Sequence, residues 1–226
     1  MRVLEALTQV FVPPYQVTQN AVNQEWTFGM GHFPSEIDSE EEPPIRLGKN
    51  VEMIPIDGLL GQYSPATIQI TVFRKGIQLV ADITKLREHD LLYIVRLHEW
   101  AHALMHVGLE RQERERLTLD ESLWPTYLNL ATAGYLRLDG ALHERLAQLL
   151  VWYGLQGMGQ AATVPEAKVA LVRIGEAFKT LTHRCPLEYQ IDDYLQIPRP
   201  RILQSVRLLK NMGINGFEAW DTVIRW

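Results

Sequence analysis

The stretch Leu97–Gly108, LHEWAHALMHVG, constrains this chain more than any other part of it. It spaces His98, His102 and His106 four residues apart and puts Glu99 directly after the first. Positions four apart on an α-helix lie about 40° from each other and one turn up, so His98 and His102 are expected side by side. Two imidazoles at that spacing can reach one tetrahedral zinc ion at about 2.0–2.1 Å each. Glu99 falls about 100° round from His98 and about 60° from His102, off the metal but beside a water the metal would activate. This is the chemical content of H-E-x-x-H: two ligands and a general base from five residues. His106 lies about 12 Å along the axis from His98, too far to share that ion, and is expected to pack or to support the site near the helix end.

Two histidines do not complete a catalytic zinc site, which takes three protein ligands and keeps one position open. The single cysteine, Cys185, excludes an intramolecular disulfide and cysteine-rich zinc modules, so the donors must be His, Asp or Glu. It also fits a reducing, cytoplasmic address. His32, His89, His143 and His183 are candidates, but two carboxylates lead. Glu144 opens a helix in LHERLAQLLVWYG, where Gln148 and Trp152 follow at intervals of four and the small Ala147 lets another helix approach closely. Its plain alternative is an exposed carboxylate favoured by the helix dipole. Glu121, in TLDES, also matches a capping box and can serve only the backbone there. For a donor to a developing oxyanion, Tyr153, His143, His106 and Tyr189 are all candidates. Trp100, inside the motif, is expected to pack.

The rest of the chain predicts an α+β fold. Residues 34–50, PSEIDSEEEPPIRLGKN, read as a solvated acidic loop or linker. ATIQITVF then alternates Ile68, Ile70 and Val72 against Thr67, Gln69 and Thr71, the pattern of a strand with one buried face. Arg74, Lys75 and Gly76 would turn the chain into IQLVADI, a second strand of a hairpin. From Lys85 the pattern is helical. The motif helix is expected from Asp90, as N-cap, to Gly108 at the C-terminal stop. ERQERER reads as a solvated face or loop. Further helices are expected from near Ser122, with Pro125 in the first turn, from Asp139 to about Gly154, and over roughly 165–182 and 200–212. The organisation is an N-terminal segment with its linker (1–50), a core (51–160) and a C-terminal helical segment (161–226). No run approaches the roughly 20 apolar residues of a membrane span, and the amino terminus does not read as a secretory signal. A net charge of −5 argues against nucleic-acid binding by general phosphate attraction. Arg199, Arg201, Arg207 and Lys210 read as a solvated helix face.

These motifs resemble the gluzincin branch of the zinc metallopeptidases, in which a helix carrying H-E-x-x-H is followed by a second helix supplying a glutamate ligand. The resemblance implies His98, His102 and Glu144 as Zn2+ ligands and Glu99 as the base. HEWAHALMH also resembles the small cytoplasmic metallopeptidases of the ImmA/IrrE type, where another His often follows the motif by four, and ERLAQLL is similar to their later Glu-x-x-Ala segment. GQYSPATIQITVF, the motif helix and ERLAQ together are similar to uncharacterised zincin-like proteins of bacterial type. The likeness covers about residues 61–155. It departs from the gluzincin N-E-x-x-x-D pattern, with His143 before the glutamate and Gln148 where an acid would fall. The third His of metzincins is also absent.

What the resemblance implies is a zincin-like core at 51–160 that hydrolyses a peptide bond in a protein or peptide substrate. Glu99 would take a proton from the zinc-activated water and pass it to the leaving amine. The substrate would lie extended along a sheet edge, for which ATIQITVF is the candidate strand, an interior strand being its alternative. A regulatory or defence pathway with one protein partner follows by analogy alone. The competing readings are a catalytically silent zincin-like binding module and hydrolysis of a non-peptide amide. An intact Glu99 favours an enzyme.

Overall fold

The computed structural model describes residues 26–27, 33–48 and 53–197, and these form an α+β structure in which helices predominate. The first strands are β1 (Trp26–Thr27) and β2 (Ser35–Ser39), followed by β3 (Gly61–Ser64) and β4 (Gln69–Phe73). Then come α1 (Arg74–Thr84), the motif helix α2 (Glu88–Val107), β5 (Leu109–Glu110) and α3 (Arg111–Leu119). A 3-10 turn at Glu121–Leu123 leads into α4 (Trp124–Arg137), α5 (Gly140–Ala161) and α6 (Pro165–Thr182), with two short 3-10 turns at Leu187–Tyr189 and Asp192–Tyr194. The expected helix over 200–212 and its four basic residues lie outside the described residues, as does His32.

The sheet differs from the hairpin expected. β3 and β4 are the antiparallel pair, with Gly61 opposite Val72 and Ser64 opposite Gln69, and β2 pairs parallel to the other side of β4. ATIQITVF therefore contributes the central strand, the interior alternative and not a substrate-holding edge; β3 is the edge strand that packs, with β4, on the motif helix. Ile70 and Val72 are buried as their alternation required. Ile68 is not in the strand; it closes the turn at a φ of 50°, a left-handed conformation that a β-branched residue rarely adopts.

IQLVADI is helix α1, not a strand. Ile77, Val80 and Ala81 are its buried residues, at the i, i+3, i+4 spacing that a short window of alternation concealed. Gly76 is obligatory there, since a Cβ would sit 1.9 Å from the Leu59 carbonyl oxygen. The acidic linker also contains structure. Ser35–Ser39 gains a strand from its partner β4, and its carboxylates face the motif helix: Arg96 pairs with Glu36 and Asp38, and the indole N–H of Trp100 donates to Glu36 at 3.0 Å. ERQERER forms a mostly exposed helix, α3.

The motif helix is the centre of the molecule. It begins at Glu88, after Arg87 as N-cap, and ends at Gly108. Nearly every residue from Asp90 to Val107 is buried, because β3, β4 and α1 pack on it from one side and α4, α5 and α6 from others. A helix covered all round has no polar face on which to place histidines by default. Those it carries must find partners inside the protein.

Candidate metal centre and its pocket

Helix α5 brings Glu144 to the histidines. Asp139 caps it, its side chain accepting from the N–H groups of Ala141 and Leu142, so that Glu144 stands one turn in. Ala147 is fully buried, and Leu142, Leu146, Leu149 and Leu150 join it in the core, which seats α5 against α2. His98 Nε2 lies 3.0 Å from Glu144 Oε2, His102 Nε2 lies 3.0 Å from His98 Nε2, and His102 Nε2 lies 3.6 Å from Glu144 Oε2. Donor atoms at about 2.0–2.1 Å from one tetrahedral ion stand about 3.3–3.4 Å apart, so the three separations bracket the edge of a coordination tetrahedron. His98, His102 and Glu144 thus form a buried group able to bind a metal ion.

The electrostatics suit a cation. Burial lowers the pKa of His98 and so favours the neutral imidazole a metal requires. Burial works to raise the pKa of Glu144, but the charge and hydrogen bonds of His102 and His98 outweigh it and hold the carboxylate ionised well below its ordinary range. Glu99 is driven the other way: burial first, then the charges of Glu144 and Asp57, raise it well above 4.5. Its Oε1 is buried with no hydrogen-bond partner among the described residues. Gly61 makes room for it. A Cβ at that position would lie 2.7 Å from Glu99 Oε1, so β3 approaches the carboxylate by lacking a side chain.

Around the cluster runs a layer of hydrogen bonds that the sequence did not signal. Tyr135, near the end of α4, places its hydroxyl 3.1 Å from His102 Nδ1. With Nε2 given to a metal, Nδ1 carries the proton and Tyr135 accepts it, which fixes ring orientation and tautomer. His106 binds no part of the cluster. Its Nε2 is 2.8 Å from Thr132 Oγ1, whose own proton goes to the Leu128 carbonyl, so Nε2 donates and Nδ1 accepts from Tyr63 at 2.8 Å. His106 is thus packed between β3 and α4, bonded to Tyr63 and Thr132. His143 donates from Nε2 to the Tyr135 carbonyl at 2.9 Å and stacks near His102; burial first, then His102, lowers its pKa to about 4. Gln148, one turn beyond Glu144, is fully buried, and both its amide atoms and His98 Nδ1 lack partners among the described residues.

Other sequence candidates lie elsewhere. Glu121 is exposed in its 3-10 turn, and the cap is made by Asp120, which accepts from the N–H of Ser122. Tyr153 donates to the Ile197 carbonyl at 3.0 Å. Tyr189 packs its ring 5.9 Å from that of His98, and its hydroxyl accepts from the Asp57 N–H at 3.3 Å. His183 is largely exposed beside Asp192, and His89 is half-exposed at the start of α2. Of these, only Tyr189 touches the centre.

A cavity of about 250 Å³ opens on the cluster, walled by Asp57, Gln62, Tyr63, His102, Tyr135, His143 and Glu144. Asp57 was not anticipated. It sits before Gly58, whose φ of 73° turns the chain towards β3, and burial together with the charge of Glu144 raises its pKa. No helix among the described residues is long and apolar enough to cross a membrane. Compared with protein-family models, curated proteins and solved structures, the chain matches none.

Proposed function

We propose that this chain is a zinc-dependent metallopeptidase of zincin-like build, with His98, His102 and Glu144 as ligands and Glu99 as general base. The observation that carries the reading is the unpartnered Glu99 Oε1. A buried polar atom without a partner costs about 1–3 kcal/mol, and more when charged. A site that only held an ion for structure would have no use for such a group beside it. Two imidazole nitrogens and one carboxylate oxygen, with no sulfur, are a donor set that suits zinc and leaves a position open.

Zinc in that position would supply Lewis acidity, polarising the scissile carbonyl and acidifying the attacking water. The residues of the chain do the rest. Glu99, raised in pKa and held against Gly61, is suited to take the water's proton and release it to the leaving amine. Tyr135 holds the His102 ring in place. An extended peptide would lie at the outer edge of β3 beyond Gly61, whose own N–H and C=O are taken by Ile56 and Gly58, with Tyr63 and Gln62 beside the cavity. The lone, buried Cys185 supports a cytoplasmic setting for this chemistry.

The deciding experiment is metal analysis of wild type and Glu99→Gln together with an unbiased search for cleaved proteins. About one zinc per chain in both, with cleavage by wild type alone, is the expected result. Wild type that stays metal-free after zinc loading would sink the reading. Zinc in both with cleavage in neither would leave a silent zincin-like binding module.

A further inference from the structure

Within the cavity one carboxylate has no task in that reading. Asp57 is not among the residues whose atoms converge on an ion, and Glu99 already serves as base. Asp57 stands at the mouth of the cavity, its backbone held by Tyr189 and by the turn at Gly58. Beyond the cluster's own His102 and Glu144, the remaining wall carries no second charged side chain: Gln62, Tyr63, Tyr135 and His143 are polar, Leu136 and Leu138 apolar. Tyr63 spends its proton on His106 and has none left to donate. His143 donates its Nε2 proton to the Tyr135 carbonyl, and its Nδ1 is buried without a partner among the described residues. No lysine or arginine is among the described residues that line the cavity. Asp57 and Glu144 are the two carboxylates of that wall, and Glu144 belongs to the cluster.

We propose that Asp57 is a specificity-determining residue that receives a cationic nitrogen group of the substrate, an ammonium or a guanidinium, next to the bond to be cut. The cut bond rests on the peptidase reading, while the recognition step needs only an ion in the cluster and the cavity above it. An anionic side chain would meet the Asp57 carboxylate with no lysine or arginine to offset it, whereas a cationic one replaces its lost water with a charge-assisted hydrogen bond. The group can come from a free α-amino terminus or from a lysine or arginine side chain, and the probes below separate these.

Three hydroxamates, which anchor on zinc without being cleaved, are titrated calorimetrically into the zinc-loaded full chain slightly below neutral pH. Nα-acetyl-norleucine hydroxamate carries no cation, norleucine hydroxamate a free α-ammonium, and Nα-acetyl-lysine hydroxamate a side-chain ammonium. One cationic probe is expected to bind wild type about tenfold or more tightly than the neutral probe, the scale of one charge-assisted hydrogen bond. In Asp57→Asn that ratio should fall to within about twofold of unity. Preference for the α-ammonium marks a chain that trims from amino termini; preference for the lysine probe marks one that cuts beside a basic residue. Equal binding of all three by wild type overturns the proposal, as does a preference that survives in Asp57→Asn. Loss of zinc from Asp57→Asn overturns it too, by moving Asp57 into the metal centre. A chain that prefers the cation yet cuts no protein leaves this proposal standing and sinks the peptidase reading. Failure of wild type to hold zinc sinks both.

Discussion

Two carboxylates of the motif helix, nine residues apart, are buried to the same degree and treated in opposite ways. At the start of α2, Asp90 accepts from Arg173 of α6 through both oxygens, at 2.7 and 2.8 Å. At its middle, Glu99 leaves one oxygen with nothing to accept from among the described residues. The first pair joins two helices and satisfies the charge it buries. The second leaves a buried carboxyl group unsatisfied near the charge of Glu144. Equal burial thus leaves one carboxylate satisfied and the other with an unpartnered oxygen beside a cluster able to bind a metal ion.

That contrast is most sharply tested by removing the chemistry of Glu99 without its shape. Glu99→Gln is expected to lower turnover by about 10²–10⁴-fold while zinc content stays at that of wild type, as measured by cleavage assay and metal analysis. Turnover equal to wild type would make Glu99 a second Asp90. Next in size, Glu144→Ala is expected to weaken zinc by well over the roughly 100-fold that loss of a supporting hydrogen bond costs, as read by competition with a chelator. Full zinc affinity in that variant would remove Glu144 from the centre.

At the other end of the helix, Arg173→Met abandons Asp90. The expected loss is about 2–3 kcal/mol in denaturant unfolding, below the usual figure for a broken buried pair because Arg173 is about a third exposed and water can reach the carboxylate. Zinc affinity should be unchanged, and a parallel loss of zinc would couple the two regions. The smallest effect concerns pH in the chelator-treated protein. The folded-state pKa of Glu99 is raised above its ordinary 4.5, so its contribution to stability is fully present below pH 4.5 and lost as pH rises through the raised value. Glu99→Gln has no such loss. Its melting temperature should match that of wild type near pH 4.5 and exceed it increasingly towards neutrality, and the reverse trend would place Glu99 among satisfied carboxylates like Asp90.

The sequence carried the pair His98 and His102 and the helix of Glu144 because each depends on local rules: helical spacing, an Asp139 cap and a small Ala147 at the helix contact. It carried Ile70 and Val72 as a buried strand face for the same reason. What it withheld depends on distant partners. Ser35–Ser39 looks like an acidic loop until β4 and Arg96 are beside it, and Ile77, Val80 and Ala81 pass for an alternating strand until Leu59 packs on Gly76. Tyr135 and Asp57 reach the site through contacts 33 residues and more away along the chain, and no motif announces them. Gly61 was visible only as a residue before a strand. Its signal was the absence of a side chain opposite an acid, which needs the third dimension to be read.

The cluster joins two helices whose contributing residues stand 46 positions apart in the chain. An ion shared between them would close that long loop as a covalent bridge does, and closing a long loop restricts the unfolded chain more than closing a short one. This protein has one cysteine and cannot make such a bridge from sulfur. Its tie would instead follow the free metal concentration and be indifferent to redox state. The lifetime of the folded chain against proteolysis would then rise and fall with metal supply.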